Sequence, residues 1–176
     1  MPLKYQVPDD KKVRVIVDSD AACEADDPFA IAHALLCDKF IVKAIFAEHF
    51  NCEGSMKQSF EEIQRVVKAM KKEVPVLVGE IGKLSEKGTG EISEASSFLI
   101  REALREDDKP LYVLCIGAIT NIASAIQACP DIVPHMTVVW IGGQSHEHST
   151  GEVREFNAGN DIEAANLVLG SGVRFW

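Results

Sequence analysis

Four aspartates stand within ten residues of one another, Asp18, Asp20, Asp26 and Asp27, in the stretch VRVIVDSDAACEADDPFAIAHALL at 13–36. Carboxylates crowded beside an apolar run repel one another, and a hard cation turns that repulsion into attraction. Calcium or magnesium would take such carboxylates together with carbonyl oxygens. The five cysteines (23, 37, 52, 115 and 129) form no CxxC pair, so zinc is disfavoured. Ordinary roles compete for the same residues. Asp26 or Asp27 is expected to cap the helix that follows, and Asp18 and Asp20 could be solvated loop residues. Capping explains one carboxylate, two at most.

The elements that must position these residues alternate. Val13–Val17 reads as a strand buried on both faces, and 26–36 as a helix with Pro28 in its first turn. Strands are expected again at 40–47, 74–79, 111–117 and 137–143, with a sixth beginning in VRFW at the end. Between them lie helical patterns at 56–72, 93–106 (opened by Ser93 as a cap) and 120–128. Another follows Asp161, with Gly170 as its left-handed stop. Irregular, polar stretches fall at 83–91 and 144–157. Strand and helix in alternation predict one α/β domain over 1–176, a mostly parallel sheet with helices on both faces. In such sheets ligands bind beyond the carboxyl ends of the strands. Behind the first strand stand the aspartates, and behind the second Glu48, His49 and Asn51. Gly117, Thr120 and Asn121 follow the fourth, and Gly142-Gly143 with REFNAGND the fifth. Taken singly, His49, Glu155 and Asn157 are weak signals; one shared edge gives them weight.

Composition narrows the partners. Against 18 Lys and Arg stand 27 Asp and Glu, a formal charge of −9, which disfavours nucleic acid and anionic membrane. The residues are 47% hydrophobic, enough for a sizeable core. Scattered cysteines are expected to be reduced and mostly buried. Without a signal-type or membrane-spanning apolar run, the expectation is a soluble, cytoplasmic protein.

Four segments, in order, resemble the inosine–uridine-preferring nucleoside hydrolases. These are VIVDSD…DD.FAIAHAL, VPVLVG, IGAITNIASAIQACPDIVPHMTVVWIGG and EFNAGNDIEAANLVLGSG. The resemblance implies a nucleoside hydrolase-like fold with a Rossmann-like core. It also implies a calcium-dependent N-glycosidase that cleaves ribonucleosides to ribose and free base. Carried over by position, Asp20 would bind the metal and act as general base, and Asp27 would be a second ligand. Asp18 would support the cluster, and Ile116 would offer its backbone carbonyl to the metal. Asp26, Glu155 and Asn157 would hold ribose hydroxyls, with either His49 or Asn51 joining them from the second strand. A nucleoside or related riboside is the implied partner, and a homo-oligomer the implied assembly.

Two features depart from the family pattern. Five residues, AACEA, separate Asp20 from Asp26 where the family has three with a glycine, and Glu24 within them is expected to face solvent. The chain also ends before the family's last metal-binding aspartate and a histidine near the leaving base. It therefore reads as the N-terminal portion of a longer fold. Two alternatives follow. One is a non-catalytic ribose- or metal-binding module. The other is a haloacid dehalogenase-type phosphatase, for which DSDAACEADD lacks a nearby Thr or Val after the second Asp.

Overall fold

The computed structural model describes residues 6–86, 92–144 and 155–176. Six parallel strands form one sheet: β1 (Val13–Ser19), β2 (Phe40–Ala47), β3 (Val76–Leu77), β4 (Leu111–Cys115), β5 (Thr137–Trp140) and β6 (Arg174–Phe175). Their order is β3-β2-β1-β4-β5-β6, so the chain winds one way from β1 and then the other from β4. Between these two central strands lies the switch point at which a crevice opens. Register between β1 and β4 is continuous, with Asp18 opposite Cys115, whereas β1 shifts against β2 between Val15 and Ile16 before Ser19 comes opposite Ala47.

Alternation along the central strands divides the core. Ile16, Ala44 and Phe46 point to the layer of α3 (Glu94–Ala103), α4 (Thr120–Ala128) and α6 (Ile162–Gly170). Val15, Val17 and Ile45 point to the layer of α1 (Asp26–Leu36) and α2 (Ser55–Ala69), where Ile31 and Ile63 meet them. Both faces are covered, which is why β1 carries no polar alternation until its end. Each layer is continuous in apolar contact, and burial of this kind stabilises a fold by roughly 25 cal/mol per Å² of apolar surface.

Helix ends depart from expectation in physical detail. Ser93 caps α3, its Oγ accepting from the Ser96 N–H at 3.1 Å. Neither Asp26 nor Asp27 caps α1: the cap position is Ala25, with no side-chain bond, and the two aspartates lie inside the first turn. There the helix dipole favours their charge without capping geometry. The left-handed stop after α6 is Gly172, at φ 80°, while Gly170 is still helical. α2 ends three residues short of its expected limit, and Lys71 beyond it adopts φ 53°. α3 likewise stops at Ala103. β3 is reduced to two residues at the sheet edge, behind Pro75, which lacks a ladder donor. A five-residue helix, α5 (Phe156–Asn160), forms where only an irregular stretch was expected. All five cysteines are free, as expected, but Cys115 alone is fully buried and Cys52 is exposed.

Candidate active site

β1 runs to Ser19, so Asp18 is a strand residue whose backbone carbonyl accepts from the Ile116 N–H at 2.9 Å. Its side chain is completely buried. Oδ1 accepts from Asn121 Nδ2 at 2.9 Å, and Oδ2 has no hydrogen-bond partner among the described residues. Burial pushes the carboxyl up to about 7, with the charge of Asp20 adding to it. Glu48, after β2, is equally buried and held well above the usual range, first by burial and then by Asp18. Two adjacent buried carboxyls cannot both ionise cheaply, which disfavours the doubly charged form of this pair.

Asp20 follows the strand and is only 2% exposed. Burial raises it to about 7, reinforced by Asp27 and then Asp26 and Glu24. Its carboxylate lies against Gly117 at the end of β4, where a Cβ would stand 2.7 Å from Oδ1. Glycine there is a matter of space for the aspartate. Asp27, buried in the first turn of α1, accepts from Ser19 Oγ at 2.5 Å. Burial lifts it to about 6 despite that bond, and the charges of Asp26 and Glu24 contribute.

These groups share one cavity of about 140 Å³ at the switch point. Its lining includes Asp20, Asp26, Asp27, Ile116, Glu155 and Asn157. Asp26 is exposed at the rim. Glu24 is exposed as expected, yet it also lines the cavity, as does Cys23. Six of the nine residues proposed from sequence therefore border one space. Asp18 lies behind it, and His49 and Asn51 do not line it. A wider groove of about 590 Å³ runs beside it, between the β1–α1 loop and α2. Of its charged residues, Glu62 and Arg65 are paired with each other and Glu24 and Glu61 are exposed, so it lacks convergent buried charged groups.

Glu155 does more than border the cavity. Its carboxylate caps α5, accepting from the N–H groups of Asn157 (2.9 Å) and Ala158 (2.9 Å), and it accepts from Gly143 at 2.8 Å. Asn157 Nδ2 donates to Ile141 O at 2.8 Å and to Ile116 O at 3.3 Å. The carbonyl singled out at Ile116 thus already meets an amide. His49 is 1% exposed, its Nε2 lying 2.8 Å from Thr120 Oγ1. Asn51 is exposed, with φ 58°.

Sequence reasoning underrated Asn121. Its Nδ2 donates to Asp18 Oδ1 and to Ala47 O (3.1 Å), its Oδ1 accepts from Glu80 N–H (2.7 Å), and its own N–H donates to Glu48 (3.1 Å). One fully buried amide thereby ties β1, β2, β3's exit and α4 together behind the site. The available signal was an asparagine in the first turn of a helix just after a strand.

The residues suit a hard cation in kind. Asp20, Asp27 and the Ile116 carbonyl are oxygen donors around one cavity, with Asp20 held up partly by the charge of Asp27 and Asp27 partly by those of Asp26 and Glu24. Asp18, fully buried behind them, leaves its Oδ2 without a hydrogen-bond partner among the described residues. Among the described residues, no three His, Cys, Asp or Glu side chains converge as a ligand set, so the chain offers two side chains and a carbonyl.

Comparison with known proteins places the chain in a family. The family model described as inosine-uridine preferring nucleoside hydrolase matches residues 15–175. The non-specific ribonucleoside hydrolase RihC of Escherichia fergusonii is 38% identical over 82 residues, which is 46% of this chain and 27% of that protein. Among solved structures, an inosine-guanosine nucleoside hydrolase superposes with TM-score 0.75 at 24% identity, covering 94% of this chain and 60% of the other. A purine-preferring ribonucleoside hydrolase from Gardnerella vaginalis gives TM-score 0.71 at 23% identity, covering 92% and 59%. The chain thus spans about three-fifths of these solved relatives, and its match covers about a quarter of the curated one.

Proposed function

The chain belongs to the inosine-uridine preferring nucleoside hydrolase family, and from that premise we propose that it supplies the metal- and ribose-binding half of a calcium-dependent N-glycosidase. The substrate class is a ribonucleoside or related riboside, cleaved by water to ribose and free base. The observation that carries this reading is the single cavity where Asp20 and Asp27 meet the Ile116 carbonyl, with Asp26, Glu155 and Asn157 around it.

Asp20 is the general base. It takes a proton from the attacking water as oxygen bonds to the anomeric carbon, and the C–N bond pair leaves with the base. Burial raises this carboxyl in the metal-free chain, and a bound cation would favour the ionised form that a general base needs. Asp27 and Asp20 would hold calcium together with the Ile116 carbonyl, and Asp18 backs them. Bound calcium would supply a Lewis acid that lowers the pKa of its water and grips the ribose diol. Asp26, Glu155 and Asn157 orient ribose hydroxyls, and the negative potential of the two carboxylates stabilises the oxocarbenium character that develops on the sugar. From the β2 loop, the exposed Asn51 is better placed for a sugar contact than the buried His49. Five free cysteines support a reducing, cytoplasmic setting, and a homo-oligomer is the assembly we expect. No helix among the described residues is long and apolar enough to cross a membrane.

The test is ribose release from inosine and uridine with calcium present. Asp20→Asn is expected to lower the rate by about 10²-fold or more, as loss of a general base does. Chelation is expected to abolish it. Calcium and ribose binding without turnover would reduce the chain to a binding module, and hydrolysis of a phosphate ester instead would sink the reading.

A further inference from the structure

His49 sits between two parts of the site that the sequence separates widely. The Asn51 N–H donates to its Nδ1 at 3.2 Å. Nδ1 is therefore an acceptor, and in the neutral ring the proton resides on Nε2. Nε2 lies 2.8 Å from Thr120 Oγ1, and that hydroxyl donates onward to Asp161 Oδ2 at 2.8 Å. Asp161 is itself held, Oδ2 accepting from Leu84 N–H (2.7 Å) and Oδ1 capping α6 at Ala164 N–H (3.0 Å). The hydrogen bonds thus run in one direction, from the Asn51 backbone through an imidazole and a hydroxyl to a fixed carboxylate.

What this chain holds is the turn after β2. Asn51 occupies the left-handed region at φ 58°, a conformation that costs a non-glycine residue free energy unless its surroundings hold it. The remainder of the turn is closed locally: Phe50 N–H donates to Ser55 Oγ (3.2 Å), which donates to Cys52 O (2.6 Å). This turn leaves the carboxyl end of β2 beside the end of β1 that leads into Asp20, the Glu48 N–H donating to Ser19 O at 2.9 Å.

We propose that His49 is a positioning residue for the sugar site, an imidazole strut that locks Asn51 into its strained turn and ties it, through Thr120, to the Asp161 that starts α6. The proposal rests on the riboside-hydrolase reading, and it assigns His49 no contact with substrate. Its consequence is that the β2 turn and the segment carrying Glu155 and Asn157 are set against each other by one buried relay.

Thr120→Val removes the hydroxyl at nearly constant volume, Thr120→Ser restores it, and His49→Phe keeps a ring without donor or acceptor. In the full chain with calcium, Thr120→Val and His49→Phe are expected to weaken ribose binding by about tenfold, the size of one lost buried hydrogen bond. KM for inosine should rise similarly, with kcat changed less than about threefold, since the reacting groups are untouched. Amide exchange at Asn51 should accelerate while the β1 amides keep their protection, and Thr120→Ser should return every value toward the parent. Unchanged ribose affinity and unchanged Asn51 exchange in both disruptive variants would overturn the strut. So would a loss of kcat at constant KM. A parent chain that neither binds ribose nor cleaves inosine would instead remove the hydrolase reading, and this proposal with it.

Discussion

Asp20 and Asp27 illustrate how a residue's chemistry is set by what surrounds it. Each is lifted out of the usual carboxylate range by burial and like charge, Asp20 to about 7 and Asp27 to about 6, with Asp18 behind them at about 7. The folded protein therefore holds protons here that the unfolded chain, with ordinary carboxylates, has already released. Stability from these groups is full below about pH 4 and is lost as pH rises through about 6–7 in the absence of a cation. Scanning calorimetry in chelator should show Asp20→Asn gaining melting temperature relative to the parent between about pH 5 and about pH 8. Added calcium should raise the parent's melting temperature more at the higher pH, because it stabilises the ionised forms. A calcium effect that shrinks with pH would contradict the assignment.

At the scale of elements, the site depends on how helices and strands end. α3 begins on a serine cap and α6 on an aspartate cap, whereas α1 begins with two aspartates freed for the cavity by an uncapped Ala25. Ser93→Ala should cost about 1 kcal/mol in urea unfolding, as loss of an N-cap does, with calcium affinity unaltered. The short α5 shows the reverse relation: Glu155 serves its helix and the Gly143 turn as well as the cavity. An acidic residue followed by FNAGN offers too short a period for α5 to be legible in sequence.

Across the whole molecule the two edges of the sheet divide stability from function. At the amino edge, Arg14 is buried and donates to Glu102 O (2.9 Å), Glu102 Oε1 (3.0 Å) and Lys109 O (2.9 Å). At the carboxyl edge lie the carboxylates of the cavity. Arg14→Ala leaves Glu102 buried without its closest cation and should destabilise the fold by about 3–5 kcal/mol. Calcium affinity, measured calorimetrically on the folded variant, should remain within about twofold of the parent, because the change lies a strand's length away. A variant that lost calcium binding while still folded would show the edges to be coupled.

The strand–helix alternation, the parallel α/β class and the acidic edge were all legible in the chain, since periodicity and residue type are local properties. So was the grouping of Asp20, Asp26, Asp27, Glu155 and Asn157, because a parallel sheet carries whatever follows its strands to one rim. Tertiary structure decided the rest. Only the order β3-β2-β1-β4-β5-β6 shows that Asp20 and Gly117 meet at the switch point. Only packing shows that Asp18 and Glu48 are buried side by side, that Asn121 joins them, and that His49 turns inward to Thr120. Hydrogen bonds between residues 41 to 103 positions apart leave no periodic trace in a sequence, because their partners are chosen by the fold that brings them together.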